Sequence, residues 1–201
     1  MNTRDKLLAE AIRLFADEGY ERVTVNEVVE AAALTKGAFY HYFDSKEDLL
    51  AEIHSSYVDF AFERFERIAT EGLTPSETLT AMLRELIEQI HSYRAHVVIL
   101  WESHRSLSDA AAERIDGKKA DIRRLFQRTI ERGQRAGEFD PDRDSTLAAL
   151  GIFGMGMWTY HWYRPGGKAS ADDVASEFTQ LVLNGLAVPE RTEADPVPAT
   201  S

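Results

Sequence analysis

The sequence predicts an all-α protein: an N-terminal three-helix helix-turn-helix unit, then a larger helical domain, about nine helices in all. Three observations carry this. Apolar residues recur every three or four positions in segment after segment, and no segment alternates with the period of two that a half-buried strand requires. The segments are separated by residues that end or open helices, notably Gly19, Pro75, Gly137, Pro141 and the run Pro165-Gly166-Gly167. Near the N-terminus, two short helical patterns sit either side of a tight Ala-rich connection and follow a longer one, which is the outline of a helix-turn-helix.

In chain order, Leu7, Leu8, Ala11, Ile12 and Phe15 form one apolar stripe and predict a helix over Arg4–Glu18, closed by Gly19. Thr24-Val25-Asn26-Glu27 is a capping box, in which the Thr hydroxyl and the Glu carboxylate each satisfy a free backbone N–H. It opens a short helix with Val25, Val28, Val29 and Ala32 inward, ending at Ala31-Ala32-Ala33-Leu34. Thr35 is the candidate cap of the next helix. Phe39 and Phe43 lie four apart and share its inward face, with Tyr42 assigned to the core beside them. Ser45 caps a fourth helix, with Glu47 and Asp48 favourably placed in its first turn. Its apolar face runs through Leu49, Leu50, Ile53, Tyr57 and Phe60 and fades near Ala69.

Pro75 suits a first helical position, and Leu79, Met82, Leu83, Leu86, Ile87 and Ile90 predict a helix to Ser92. A short apolar helix from Ala95 to His104 and a long one from Asp109 to Arg135 follow. The last two are expected over Arg143–Tyr163, apolar around nearly its whole circumference and so buried on several sides, and over Ser170–Ala187. The tail from residue 189 on has the proline-rich, small and acidic composition of disorder. The domains therefore read as 1–47, 48–188 and a tail of 189–201.

Composition limits the function classes. The 201 residues are 44% hydrophobic and 28% charged, ordinary for a globular protein. There is no cysteine, which excludes disulfides and thiolate metal sites and suits a cytoplasmic protein. The polar start Met1–Lys6 is not a signal peptide. The longest stretch free of Asp, Glu, Lys and Arg, Ser145–Tyr163, is read as a buried helix rather than a membrane span. The six histidines are scattered, and no His-Glu-x-x-His, phosphate-cradling loop or serine elbow occurs. No catalytic residue, metal or cofactor is assigned; Glu102 with His104 is the one pair that would begin a metal site. The net charge of −11 argues against nucleic acid. The first fifty residues hold six Lys/Arg against ten Asp/Glu, so any case for DNA rests on placed residues and not on bulk charge.

Such a set exists. Thr35, Lys36, Gly37, Tyr40 and His41 are expected to face outward, the residue types a helix needs against a phosphate backbone and base edges. Gly37 lacks the Cβ that would hold the backbone off a ligand, at a helix cost of about 1 kcal/mol relative to alanine. A plain helix-start glycine is the alternative, as a packed or solvated ring is for His41. Lys46, at a helix N-terminus that itself favours phosphate, and Thr24 and Asn26 at the preceding helix start complete the face. An idle surface role is the other reading of Lys46.

The run Thr24–Val28 through Leu34-Thr35-Lys36-Gly37-Ala38-Phe39-Tyr40-His41-Tyr42-Phe43-Asp44-Ser45-Lys46-Glu47-Asp48-Leu49 closely resembles the DNA-binding domain of tetracycline-repressor-like (TetR family) transcriptional regulators. The resemblance implies a cytoplasmic homodimer on double-stranded operator DNA, with a C-terminal domain that binds a small molecule and releases DNA. A shorter run, Trp162-Tyr163-Arg164-Pro165-Gly166-Gly167, is similar to members that respond to lipid or steroid catabolites, often as coenzyme A thioesters.

Within that frame, Gly151 and Gly154 on the penultimate helix, with Phe178, Leu181 and Val182 on the last, are the expected dimer interface. The effector pocket is expected at Trp101, Glu102, Arg105, Phe153, Met157, Trp158 and His161, rings and a methionine suited to a hydrophobic molecule with few polar groups. The alternatives are an all-helical binding or scaffold protein without DNA contact, or a His/Glu metal-dependent enzyme.

Overall fold

The computed structural model describes residues 2–164 and 166–189. The part of the expected disordered tail beyond residue 189 lies outside them. Among the described residues there is no strand; the elements are α-helices and one 3-10 turn. α1 (Thr3–Glu18), α2 (Val25–Ala31) and α3 (Lys36–Tyr40) precede the long α4 (Lys46–Thr70). α5 (Pro75–Ser92), α6 (Arg94–Glu102), the 3-10 turn His104–Ser106 and α7 (Asp109–Ala136) form the middle. α8 (Ser145–Met157), the single turn α9 (Thr159–Trp162) and α10 (Ala171–Leu186) close the chain.

The caps set these boundaries. Asn2 and Asp5 form a capping box that starts α1. Thr24 and Glu27 form the expected one at α2, with the Glu27 N–H on the Thr24 hydroxyl at 3.3 Å and the Thr24 N–H on the Glu27 carboxylate at 2.7 Å. Thr35 accepts from the Ala38 N–H at 3.2 Å. Ser45 accepts from the Asp48 N–H at 3.0 Å. These short-range bonds satisfy N–H groups that a helix start otherwise leaves without partners.

α4 crosses the junction between the N-terminal unit and the rest without a break, so the 47/48 boundary falls inside its first turn. It packs along α7, while α5 is held between α7 and α10 and α8 covers α7. Phe65, Phe126 and Phe153 meet edge to face at 5.3 and 5.0 Å, and Phe65 and Phe126 are almost wholly buried. Burying a ring of this size stabilises by about 2–3 kcal/mol. One glycine on α7 is dictated by packing. A Cβ at Gly133 would collide with the ring of Phe139, which folds back under the helix end. A second polar clasp ties α4 to α5, where Arg64 donates two bonds of 2.8 Å to the buried Glu85 and Gln89 donates another at 2.7 Å.

Two expectations change here. The helix expected over Arg143–Tyr163 starts at Ser145, because Asp144 caps it, and it breaks at Trp158. There the Trp158 N–H reaches both Gly154 and Gly156 carbonyls, and the buried Thr159 hydroxyl bonds to Gly156 at 2.7 Å. Nor is α8 buried all round. Ala149, Ile152 and Gly156 face the core, but Leu147 is 65% and Leu150 49% exposed.

Candidate nucleic-acid interface and ligand cavity

The N-terminal unit is organised around Phe39 and Phe43, both buried, with ring centroids 5.7 Å apart. Their burial fixes the roll of α3. Thr35, Lys36, Gly37, Tyr40 and His41 are consequently all exposed, as are Thr24 and Asn26 at the start of α2. Tyr42, expected in the core, is 40% exposed. α3 ends at Tyr40, so Tyr42 falls in the turn that follows, off the helical phase that would have carried it inward.

The turn between α2 and α3 runs through Ala33 at φ 54°, the only positive-φ non-glycine among the described residues. At Gly37, a Cβ would meet only the Thr35 hydroxyl oxygen, at an ordinary 3.7 Å. Nothing within the chain demands a glycine there, although glycine weakens a helix relative to alanine.

Lys46 departs from its expected place on the outward face. Its ammonium donates to the carbonyls of Tyr20 and Val23, each at 2.9 Å, and lies 4.1 Å from the centre of the Tyr20 ring. Two of its three donors are thus engaged inside the chain, pinning the start of α4 to the α1–α2 loop. Burial, with Glu21 and Glu47 nearby, pushes the Tyr20 phenol up to about 12, so this ring stays neutral beside the cation.

The larger part of the molecule holds a half-open, mainly apolar cavity of about 290 Å³ between α4, α5, α7 and α8, with Trp101 of α6 at its rim. Of the expected effector residues, Trp101, Phe153 and Met157 line it. The others do not. Glu102 lines a separate cleft against the N-terminal unit, with Tyr20, Glu21 and Arg22. Arg105 lies on the exposed 3-10 turn. Trp158 is 61% exposed and packs on His161, the break after Met157 having turned both outward. The residues that sequence reasoning left out of the site include Phe65, Gln89, Lys119 and Arg123. Lys119 and Arg123, four apart on α7, were readable as one face of that helix; that this face turns toward the cavity was not.

His104 does not join Glu102 in a metal site. It pairs with Asp116 at 3.0 Å, and the same Asp116 oxygen takes Lys119 at 3.3 Å. No group of three or more potential metal-binding side chains occurs among the described residues. The turn that carries His104 also touches the N-terminal unit. The Ser106 hydroxyl donates to Glu21 at 2.5 Å and the Ser108 N–H to Glu47 at 2.9 Å. A continuous polar path therefore runs from the cavity wall at Lys119, through Asp116 and His104, to the loop before α2 and the first turn of α4.

A second apolar surface lies on α8 and α10. Leu147, Gly151, Met155, Leu181 and Val182 border an open groove, and Leu181 is 62% exposed. A Cβ at Gly151 would meet nothing within 4 Å, so this glycine faces the open groove; Gly154, expected beside it, lines the cavity instead. The close helix contact is at Gly156, against Leu86. Phe178, expected on the same outer face, is partly buried against Ile87, Tyr163 and Val174 of its own chain. No helix among the described residues is long and apolar enough to cross a membrane.

An exposed short helix whose roll is fixed from within, preceded by a capped helix and a tight turn, defines a helix-turn-helix DNA-binding regulator. Residues 7–53 match the bacterial regulatory proteins of the tetR family, and residues 72–186 match the tetracyclin repressor-like C-terminal domain. The chain belongs to the tetR family and is a DNA-binding transcriptional repressor of that type, not an enzyme. It is 33% identical over 189 residues to the HTH-type transcriptional repressor KstR2 of Rhodococcus jostii, covering 92% of each chain. Over 184 residues it is 31% identical to KstR2 of Mycolicibacterium smegmatis, covering 91% of this chain and 90% of that one.

Among solved structures, the ketosteroid transcriptional regulator KstR2 of Mycobacterium tuberculosis superposes with a TM-score of 0.84 at 28% identity, over 94% of this chain and 96% of that one. AibR in complex with isovaleryl coenzyme A and operator DNA superposes at 0.82 with 26% identity, over 90% and 97%.

Proposed function

We propose that this repressor acts as a homodimer on a pseudo-palindromic operator and leaves it when a hydrophobic small molecule occupies the cavity. The candidate effector is a fatty-acyl or steroid-derived catabolite, free or as its coenzyme A thioester. This class is suggested by the Trp162–Gly167 run and by the ligands in the names of the similar KstR2 and AibR proteins. The observation that carries the reading is the physical link between cavity and DNA unit. α4 is a wall of the cavity at Tyr57 and Phe65 and is also the helix that Lys46 ties to the carbonyls of Tyr20 and Val23 in the N-terminal unit, while Glu47 beside it takes the Ser108 N–H before α7. A ligand that binds the two arrangements of α4 unequally shifts the population between them.

In this reading, Thr35, Lys36, Gly37, Tyr40 and His41 enter the major groove, while Thr24 and Asn26 meet the backbone alongside. Lys46 acts by holding α4 against the unit rather than by meeting phosphate. The α8–α10 face, with Gly151, Leu181 and Val182, forms the dimer contact, and its two-fold axis pairs the two DNA units. A cytoplasmic location follows from working on DNA. With one Lys on α3, the dependence of affinity on salt is expected to be moderate.

A gel-shift assay with the DNA upstream of the protein's own gene tests this. Retardation at low salt is expected, with a loss of at least about tenfold for Tyr40→Ala, a size typical of losing one good base or phosphate contact. Absence of any retarded species at low salt would refute the proposal.

A further inference from the structure

Apart from Tyr57 and Gln89, the cavity is apolar except along its α7 edge. Of the residues that line it, two are charged, and both are cations, Lys119 and Arg123. This is unexpected in a chain of net charge −11. The two sit one turn apart on α7, close enough that the charge of Arg123 acts against that of Lys119. They are also under-compensated. The carboxylate beside Lys119, Asp116, is shared with His104 and with solvent, its side chain being 55% exposed. Arg123 pairs with no carboxylate among the described residues, whereas its neighbours Lys118 and Arg124 pair with Asp59 and Asp121. Lys119 is largely sheltered from water, with a side-chain exposure of 24%, so it lacks the solvation that would otherwise offset this crowding.

We propose that this edge is an anion subsite: Lys119 and Arg123 receive the carboxylate of a medium-chain amphipathic acid whose apolar body fills the space between Tyr57, Phe65, Phe153 and Met157. The inference rests on reading this cavity as the effector site. A carboxylate here gives Arg123 a counter-charge and Lys119 a second one, at a low-dielectric edge where charge-assisted bonds are stronger than in water. A guanidinium accepts a carboxylate through two parallel N–H bonds, and the neighbouring ammonium adds a point charge. Size limits the ligand. A cavity of about 290 Å³ holds about ten groups at ~30 Å³ each. That suits an eight-carbon acid as the body held inside.

The position of the subsite also gives it a consequence. An anion that draws Lys119 away from Asp116 changes the company of the carboxylate that also holds His104, on the turn that bonds Glu21 and Glu47 in the DNA-binding end.

Isothermal titration of the full-length protein with octanoate, 1-octanol and octanoyl coenzyme A tests the proposal. Octanoate is expected to bind at least about tenfold more tightly than octanol, the effect of a charge-assisted pair. Arg123→Met and Lys119→Met should each remove most of that difference. Arg123→Gln and Lys119→Gln serve if either methionine variant fails to fold. Equal affinity of acid and alcohol in the native protein, or a preference for the acid that survives both substitutions, overturns the anion subsite while leaving the cavity reading intact. Tight binding of octanoyl coenzyme A that is insensitive to both substitutions, with weak binding of octanoate, overturns it as well and places the anionic contacts elsewhere. If none of the three binds, the medium-chain acid is overturned as the ligand of this cavity.

Discussion

The two ends of this molecule are built on different terms. The N-terminal unit is made of short helices, each started by a side chain within three residues of the amide it caps, closed over Phe15, Phe39 and Phe43. It has no buried side-chain nitrogen or oxygen without a partner, among the described residues. The C-terminal part keeps an internal cavity, an uncovered apolar face, and two histidines, the buried His54 and the half-buried His91, whose ring nitrogens have no partner. An end that must present one fixed surface is satisfied locally. An end that must admit a ligand and change shape carries voids and unmet bonds, which lower its stability and leave it adaptable.

The largest expected effect asks whether the ends are also separate in stability. Phe39→Ala removes a fully buried ring and should cost about 3–5 kcal/mol. Amide hydrogen exchange is expected to show that loss across α1–α3, with the protection of α5, α7 and α10 held to within about 0.5 kcal/mol. A uniform loss over the whole chain would show one cooperative unit and break the comparison.

The next effect belongs to the cavity end. His54, on α4 one turn before Tyr57, is 1% exposed with both ring nitrogens unpartnered. Burial, with the charges of Lys119 and His104, pushes its pKa down to about 3. Its folded value is therefore below its unfolded value of about 6.5. His54's contribution to stability is whole above about pH 6.5 and is lost as pH falls toward the folded value, because the unfolded chain takes the proton first. At pH 5 the loss from this group is about 2 kcal/mol. His54→Leu should therefore lose less stability than the native protein between pH 7 and 5, read from urea midpoints. The decline caused by His91 and His96, also lowered by burial, remains in both proteins. Identical midpoint shifts would show that His54 titrates normally.

The same contrast decides what could be read in advance. Thr24-x-x-Glu27, Thr35 and Ser45 announce their helices because a cap and its amide are three residues apart, and Phe39 with Phe43 fixes a roll within five residues. The outward face of α3 followed from these alone. In the C-terminal part the relevant pairs are remote. Lys119 and Phe153 share a cavity wall, and Ser106 bonds Glu21 across 85 residues, so periodicity says which face is apolar but not what it meets. Trp158 shows the cost. A single turn of mis-phased helix moved it and His161 from the expected cavity to the surface. Lys46 was misread for a related reason, since its acceptors are the carbonyls of Tyr20 and Val23, which no side-chain pattern reveals.

The smallest effect comes from two positions in the DNA-binding end where alanine and glycine stand opposite to what the backbone alone would favour. Ala33 holds φ 54°, a conformation that costs a residue with a Cβ roughly 1–2 kcal/mol. Ala33→Gly removes that strain but loosens the unfolded chain by about 0.4–1 kcal/mol. A net gain of about 0.5 kcal/mol follows, seen as a rise of roughly 1–2 °C in melting temperature. Gly37 has helical space for a methyl group, so Gly37→Ala should stabilise by up to about 1 kcal/mol. The two substitutions separate in the gel-shift assay. Ala33→Gly leaves the exposed face chemically unchanged and should hold DNA affinity within about threefold. Gly37→Ala adds a methyl group where we propose the backbone meets phosphate, and should lower affinity at least about tenfold, one phosphate or base contact. A Gly37→Ala protein that is both more stable and undiminished on DNA would remove the close approach from the explanation of that glycine, and leave it a helix start that folding alone does not require.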